Sequence, residues 1–188
     1  MKITNIVLIF VVIFAIAVYK TNTNKKENNS ANSAHYINSN ANNVDFSNEI
    51  ELNLDSGEKI LLRKSANGFT MQNNAKPTLF VFFTTWCPSC QKSIPFYLDL
   101  QKKCSNLRII GALLEDKDNK TVQKYKKSFG VTYEVTRSGA VSLSKISRKT
   151  NLVPSLLLLD KNGLLIHEGI LTKDNTQNFL NSINQICS

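Results

Sequence analysis

Residues 78–84 read TLFVFFT, and one residue later the chain continues Trp86-Cys87-Pro88-Ser89-Cys90. An uninterrupted run of strand-forming apolar residues is the pattern of a central strand covered on both faces. The switch that follows has the chemistry of a helix start. Cys87 takes the N-cap position, where unpaired backbone N–H groups and the helix dipole favour a thiolate. Pro88, in the first turn, loses nothing by lacking an N–H. Cys90 lies one turn further on the same side, within reach of a disulfide with Cys87. A strand–CxxC–helix passage in an α/β context is a redox signature. It assigns Cys87 as the exposed, low-pKa nucleophile and Cys90 as the resolving thiol. A zinc half-site is the competing use of a CxxC, but zinc needs four ligands. Here Cys104, Cys187, His35 and His167 are singly dispersed, so no metal site is expected. A purely structural disulfide is the other alternative, disfavoured because a CxxC bridge at a helix start is reactive.

Around this passage the periodicity alternates between strands and helices. Residues 50–54 and 59–62 flank Asp55-Ser56-Gly57-Glu58, a hairpin pattern. The spacing of Ile94, Tyr97, Leu98 and Gln101 predicts a helix over 88–103. Residues 108–114 form a second buried strand, and 119–129 an amphipathic helix ended by Gly130. A short strand is expected over 131–135 and a helix over 141–148. Strands at 155–159 and 164–168 flank the turn Asp160-Lys161-Asn162-Gly163, and a helix over 175–186 closes the chain. The fold class is α/β, a central mixed β-sheet flanked by helices on both faces, with an added N-terminal β-hairpin.

The N-terminal part has a different composition. Residues 3–19 are uncharged and almost wholly apolar, with Lys2 before and Lys20 behind. As a helix they would span about 26 Å, at the short end of what crosses a bilayer core. A transmembrane signal-anchor over 1–20 is the first reading. A signal peptide cleaved after Ala15-Ile16-Ala17 is the second, and both imply export. Residues 21–43, dominated by Asn and Ser, read as a flexible linker too polar to bury a core. The domain therefore occupies 44–188.

Charge narrows the partners. The 188 residues carry a formal charge of +9, but residues 44–188 hold only nineteen basic against thirteen acidic side chains. No nucleic-acid module is visible. Lys117, Lys120, Lys124, Lys126 and Lys127 read as a solvated helix face, and His167 as a sheet-surface residue. With 7 Gly and 4 Pro, collagenous and low-complexity classes are excluded.

The FFTTWCPSC passage, the apolar N-terminus, the hairpin around Gly57, Pro95 and Val153-Pro154 together resemble the thioredoxin superfamily. Within it they are most similar to the exported TlpA/ResA/CcmG-type thiol–disulfide oxidoreductases. The resemblance covers residue 44 onward and implies a thioredoxin-like fold. It further implies a cis Val153–Pro154 bond facing the Cys87–Cys90 pair, with Trp86, Pro88, Val153 and Pro154 on the substrate side. It implies reduction of protein disulfides without a cofactor, electrons from a membrane thiol donor, and targets such as apocytochrome c cysteines. The domain would sit on the periplasmic side of the inner membrane, on a single-pass anchor. Oxidase or isomerase action, and a redox-inactive peptide-docking module, are the alternatives. Two positions depart from the family. Its acid three residues after the second cysteine is here Ser93, and the buried Asp six before the first is Val81. Cys90, buried without either acid, is then expected to have a raised pKa. In such a fold the helix after the CxxC and the last helix end at the same place, bringing Cys104 and Cys187 within reach of a structural disulfide. Two buried free thiols are the alternative there.

Overall fold

The computed structural model describes residues 49–72, 75–147 and 152–188. The expected anchor over 1–20 and the linker over 21–43 lie outside the described residues. In chain order the elements are β1 (Glu49–Leu54), β2 (Lys59–Ser65), β3 (Gly68–Met71), β4 (Thr78–Phe83), α1 (Pro88–Lys103) and β5 (Arg108–Leu113). They continue as α2 (Asn119–Phe129), β6 (Glu134–Ser138), α3 (Ala140–Ile146), β7 (Ser155–Leu159), β8 (Leu165–Gly169) and α4 (Lys173–Cys187). Among the described residues the strands form one mixed sheet in the order β3-β2-β1-β6-β5-β4-β7-β8.

Every residue of β4 is buried. It pairs in parallel with β5, from Thr78↔Arg108 to Phe83↔Leu113, and antiparallel with β7. Because successive side chains point to opposite faces, Leu79, Val81 and Phe83 enter one core while Phe80 and Phe82 enter the other. The first core is capped by α1, α2 and α4, through residues such as Ile94, Tyr97, Val122, Phe179 and Ile183. The second lies between the sheet, its N-terminal strands and α3, with Leu52, Leu62, Phe69 and Leu143 fully buried or nearly so.

The N-terminal hairpin is larger than the sequence predicts. A third strand, β3, follows β2 in antiparallel register, Leu62↔Met71 to Ser65↔Gly68. Its four residues are too short to show alternation. The sheet curls until its two edges touch: Phe69 N–H donates to Gly163 O at 2.8 Å and Leu165 N–H to Asn67 O at 3.0 Å. A Cβ on Gly163, whose φ is +81°, would collide with the Phe69 carbonyl, so this closure requires glycine.

Two ion-pair clusters tie the added strands to the rest. Asp55, with its side chain 4% exposed, accepts from Lys126 Nζ at 2.6 Å, Gln123 Nε2 at 2.9 Å and Val135 N–H at 2.8 Å. Lys126 is thus 15% exposed and paired, not part of a solvated face as its spacing suggested. Arg108 makes a two-bond fork to Glu58 at 3.0 and 2.7 Å and also binds Glu134.

Other boundaries move for local reasons. The strand expected at 131–135 lies at Glu134–Ser138, because Val131 and Tyr133 fill the first core from the preceding loop. The polar sequence EVTRS conceals a strand whose ladder partners are β5 and β1. The last helix starts earlier than residue 175, since Thr172 N–H donates to Asn175 Oδ1 at 2.7 Å and caps it. Of the helix expected over 141–148, residue 148 lies outside the described residues; the helix begins at Ala140 and ends at Ile146. Cys104, at the end of α1, is bonded to Cys187, at the end of α4, with the Cα atoms 5.1 Å apart.

Three measurements check this picture. Replacing Asp55 by Ala leaves Lys126 largely buried without its partner, and is expected to cost about 3 kcal/mol in urea denaturation. Replacing Cys104 and Cys187 by Ser opens a link spanning 83 residues. It is expected to cost about 4 kcal/mol on the loop-entropy scale, read by the same method. Burial pushes the Tyr97 phenol up to about 12, and raises Tyr125 and Tyr133 as well. Unfolded tyrosines release their protons near pH ~10, so above that pH the folded state binds more protons. Stability is therefore expected to fall as pH rises from about 10 towards about 12, seen as a falling urea midpoint.

Candidate active site

The strand β4 ends at Phe83, and the chain turns through Thr84, Thr85 and Trp86 into α1. Cys87 is the N-cap of that helix, with extended backbone at φ −86° and ψ 106°, and Pro88 occupies its first turn. Cys87 N–H donates to Thr84 O at 3.3 Å, closing the turn. Cys87 and Cys90 are joined by a disulfide with their Cα atoms 5.3 Å apart. Cys90 N–H donates to Cys87 Sγ at 3.1 Å, and the Ser89 hydroxyl lies 3.3 Å from the same sulfur. When the bond opens, these two groups and the helix N-terminus surround the atom that becomes the thiolate. No acidic residue occupies the first turn of α1.

One expectation about this turn is corrected. Cys87 is 4% exposed, not open to solvent, because its sulfur is tied to Cys90 and faces the first core. Trp86 is 72% exposed; the turn directs its side chain away from the core that receives Cys87. Ser93, at the position where the family carries an acid, donates instead to Ser89 O at 3.0 Å. Val81 is buried in the first core, as apolar as its surroundings.

The Val153–Pro154 peptide is cis, and Val153 packs against the core that contains both cysteines. Alongside runs a groove of about 690 Å³ lined by Ser93, Phe96, Leu152, Val153, Pro154 and Ile170, among others. Phe96, Leu152 and Ile170 are exposed apolar side chains. Among the described residues Lys92 is the one charged side chain in the lining. Cys87, Cys90, Pro88, Val153 and Pro154 are thus gathered at one end of the sheet. Cys104 and Cys187 stand at the other end and take no part. His167 is on β8, its ring edge-to-face with Phe179 at 5.1 Å.

One functional contact is absent from the sequence reading. Thr85 N–H donates to Glu115 Oε2 at 2.7 Å, and the Thr85 hydroxyl donates to the same oxygen at 2.8 Å. Gln91 Nε2 donates to Thr85 O at 3.1 Å. Burial works to raise the Glu115 carboxyl, but the bonds from Thr85 and Lys117 outweigh it and hold it below the usual carboxylate range. The parallel register explains it: the pairing that sets Phe83 beside Leu113, carried two residues on, sets Thr85 beside Glu115. Among the described residues no group of three or more His, Cys, Asp or Glu could hold a metal ion. Within the same limits no helix is long and apolar enough to cross a membrane.

Comparison with known proteins agrees with this architecture. No curated protein is matched. Among solved structures, a putative protein disulfide isomerase from Bacteroides thetaiotaomicron is 20% identical, with a TM-score of 0.53 over 74% of this chain and 86% of that one. A thiol-disulfide oxidoreductase from Bacteroides fragilis is 17% identical, with a TM-score of 0.52 over 71% and 96%. The MTB dsbF protein, seen in mixed oxidized and reduced forms, is 15% identical, with a TM-score of 0.53 over 74% and 98%. At these identities the likeness is one of fold. The family model of the Thioredoxin-like domain matches residues 70–184, from the end of the added hairpin to the last helix, and the chain belongs to that family.

Proposed function

We propose that this protein is an exported, membrane-tethered thiol–disulfide oxidoreductase that reduces disulfides in other proteins. One observation carries the reading: a Cys87–Cys90 pair at a helix N-terminus, with Cys90 N–H on the Cys87 sulfur, at the end of the sheet where Val153 and Pro154 line an apolar groove. In the reduced protein the Cys87 thiolate attacks one sulfur of a substrate disulfide. A Cys87–substrate mixed disulfide forms, and the other substrate sulfur leaves as a thiolate that takes up a proton. Cys90, deprotonated, then attacks Cys87 Sγ and releases the second substrate thiol. Two electrons have passed to the substrate, and the Cys87–Cys90 disulfide is restored. With Ser93 and Val81 in place of the family's acids, the proton leaving Cys90 passes to water or to the departing substrate thiolate. A membrane thiol donor returns the enzyme to its dithiol form, and apocytochrome c cysteines are the kind of target this reading names. The apolar segment at 3–19 supports tethering in the inner membrane with the domain on the periplasmic side.

The reduced full-length chain is expected to reduce a disulfide protein such as insulin, with turnover lost in Cys87→Ser. Cys90→Ser is expected to accumulate a mixed disulfide at Cys87, visible by mass spectrometry. The midpoint potential of the pair decides direction: a value near about −270 mV fits a reductase, whereas one near about −120 mV assigns an oxidase instead. A cellular phenotype retained when Cys87 and Cys90 are both replaced by Ser would favour a redox-inactive peptide-docking module. Recovery of the full chain in the soluble fraction of cells would remove the tether.

A further inference from the structure

The redox turn is held from outside itself. Within it, the only backbone bond that closes Thr84 to Cys87 is Cys87 N–H to Thr84 O, long at 3.3 Å. Thr85, between them, is bound on all three of its polar groups by residues that belong to other parts of the fold. Its N–H and hydroxyl go to Glu115 Oε2 at 2.7 and 2.8 Å, and its carbonyl accepts from Gln91 Nε2 at 3.1 Å. Glu115 is itself anchored. It follows directly on the β5 ladder, where Leu114 N–H donates to Phe83 O at 2.9 Å. Its second oxygen pairs with Lys117 Nζ at 3.2 Å, and Lys117 N–H donates to Arg137 O at 2.9 Å. With its side chain 20% exposed, the carboxylate stands where the next backbone carbonyl of a longer ladder would have stood. A carboxylate oxygen accepts two bonds there, where a carbonyl held in the ladder would take the backbone N–H alone.

We propose that Glu115 is a positioning residue for the redox reaction: by gripping Thr85 it fixes the turn that aims Cys87 Sγ at the N-terminus of α1. This rests on the redox reading of the Cys87–Cys90 pair. Glu115 does not touch the sulfurs and transfers no proton. It acts by keeping Cys87 in register with Cys90 N–H and the Ser89 hydroxyl, the two groups that favour its thiolate. Small displacements of a reacting atom from such donors cost rate steeply.

The test follows alkylation of Cys87 by iodoacetamide in the reduced full-length protein, mapped to the peptide that contains it, as a function of pH. Glu115→Ala is expected to slow alkylation at neutral pH about tenfold and to move its pH midpoint upward, because the sulfur loses its aligned donors. Glu115→Gln, whose amide oxygen still accepts from Thr85, is expected to recover the rate to within about threefold of the parent. Gln91→Ala, which releases Thr85 O alone, is expected to give a smaller slowing in the same direction. Equal effects of Glu115→Ala and Glu115→Gln with the midpoint moved downward would overturn the proposal, since the charge and not the grip would then govern Cys87. An unchanged alkylation profile with a lowered urea midpoint would overturn it too, leaving Glu115 a purely structural residue. Alkylation needs no turnover. A parent protein that reduces no substrate disulfide would count against the proposed function while the three variants still judge Glu115.

Discussion

The parallel pairing of β4 with β5 is the constraint from which the rest of the molecule follows. Six residue pairs stand in register, and both strands are buried over nearly their whole length. A parallel ladder cannot be closed by a tight turn, so α1 must cross over between the two strands. That crossover puts the start of α1, and with it Cys87, at the strands' C-terminal end. It also delivers Glu115 to the same end, because β5 runs in the same direction. The antiparallel β7 enters from the other side with Pro154 just before it. Sulfur pair, proline loop and carboxylate converge because three adjacent strands present them at one end of the sheet.

Much of this was legible in the chain. The TLFVFFT run identified the central strand because burial on both faces removes the alternation that an exposed face would impose. The WCPSC passage identified the helix start because a cysteine, a proline and a second cysteine one turn on satisfy local backbone requirements without help from elsewhere. What stayed hidden depends on partners distant in sequence. β3 and β6 are short, β6 is polar as well, and both exist through their ladders. Asp55 reads as a turn residue, yet it is an internal anchor whose partners lie 68 to 80 residues away. Glu115 looks like the first polar residue after a buried strand, and only the strand register brings it to Thr85. The burial of Cys87 and the exposure of Trp86 depend on which way a short turn rotates, which spacing does not encode.

The added strands show how a small domain enlarges its second core. Phe69, Leu52 and Leu62 cover the face of the sheet opposite α1, and the curl closes on Gly163. Surface ion pairs contribute little by themselves. The Asp55 cluster differs because its carboxylate is nearly fully buried and bonded on three sides, so it fixes where the extra strands attach.

Helix α1 is tied covalently at both ends, to its own first turn through Cys87–Cys90 and to α4 through Cys104–Cys187. Pro95 sits between the two ties, inside the helix, and its missing N–H leaves the Gln91 carbonyl without the usual helical partner. The helix is therefore two segments in series. In the redox cycle proposed here the upper one gains and loses a crosslink, while the lower one stays moored to the body of the domain. Rearrangement at the sulfur pair can be taken up at the proline, so the distant bridge and the core beneath it need not register that a turnover has occurred.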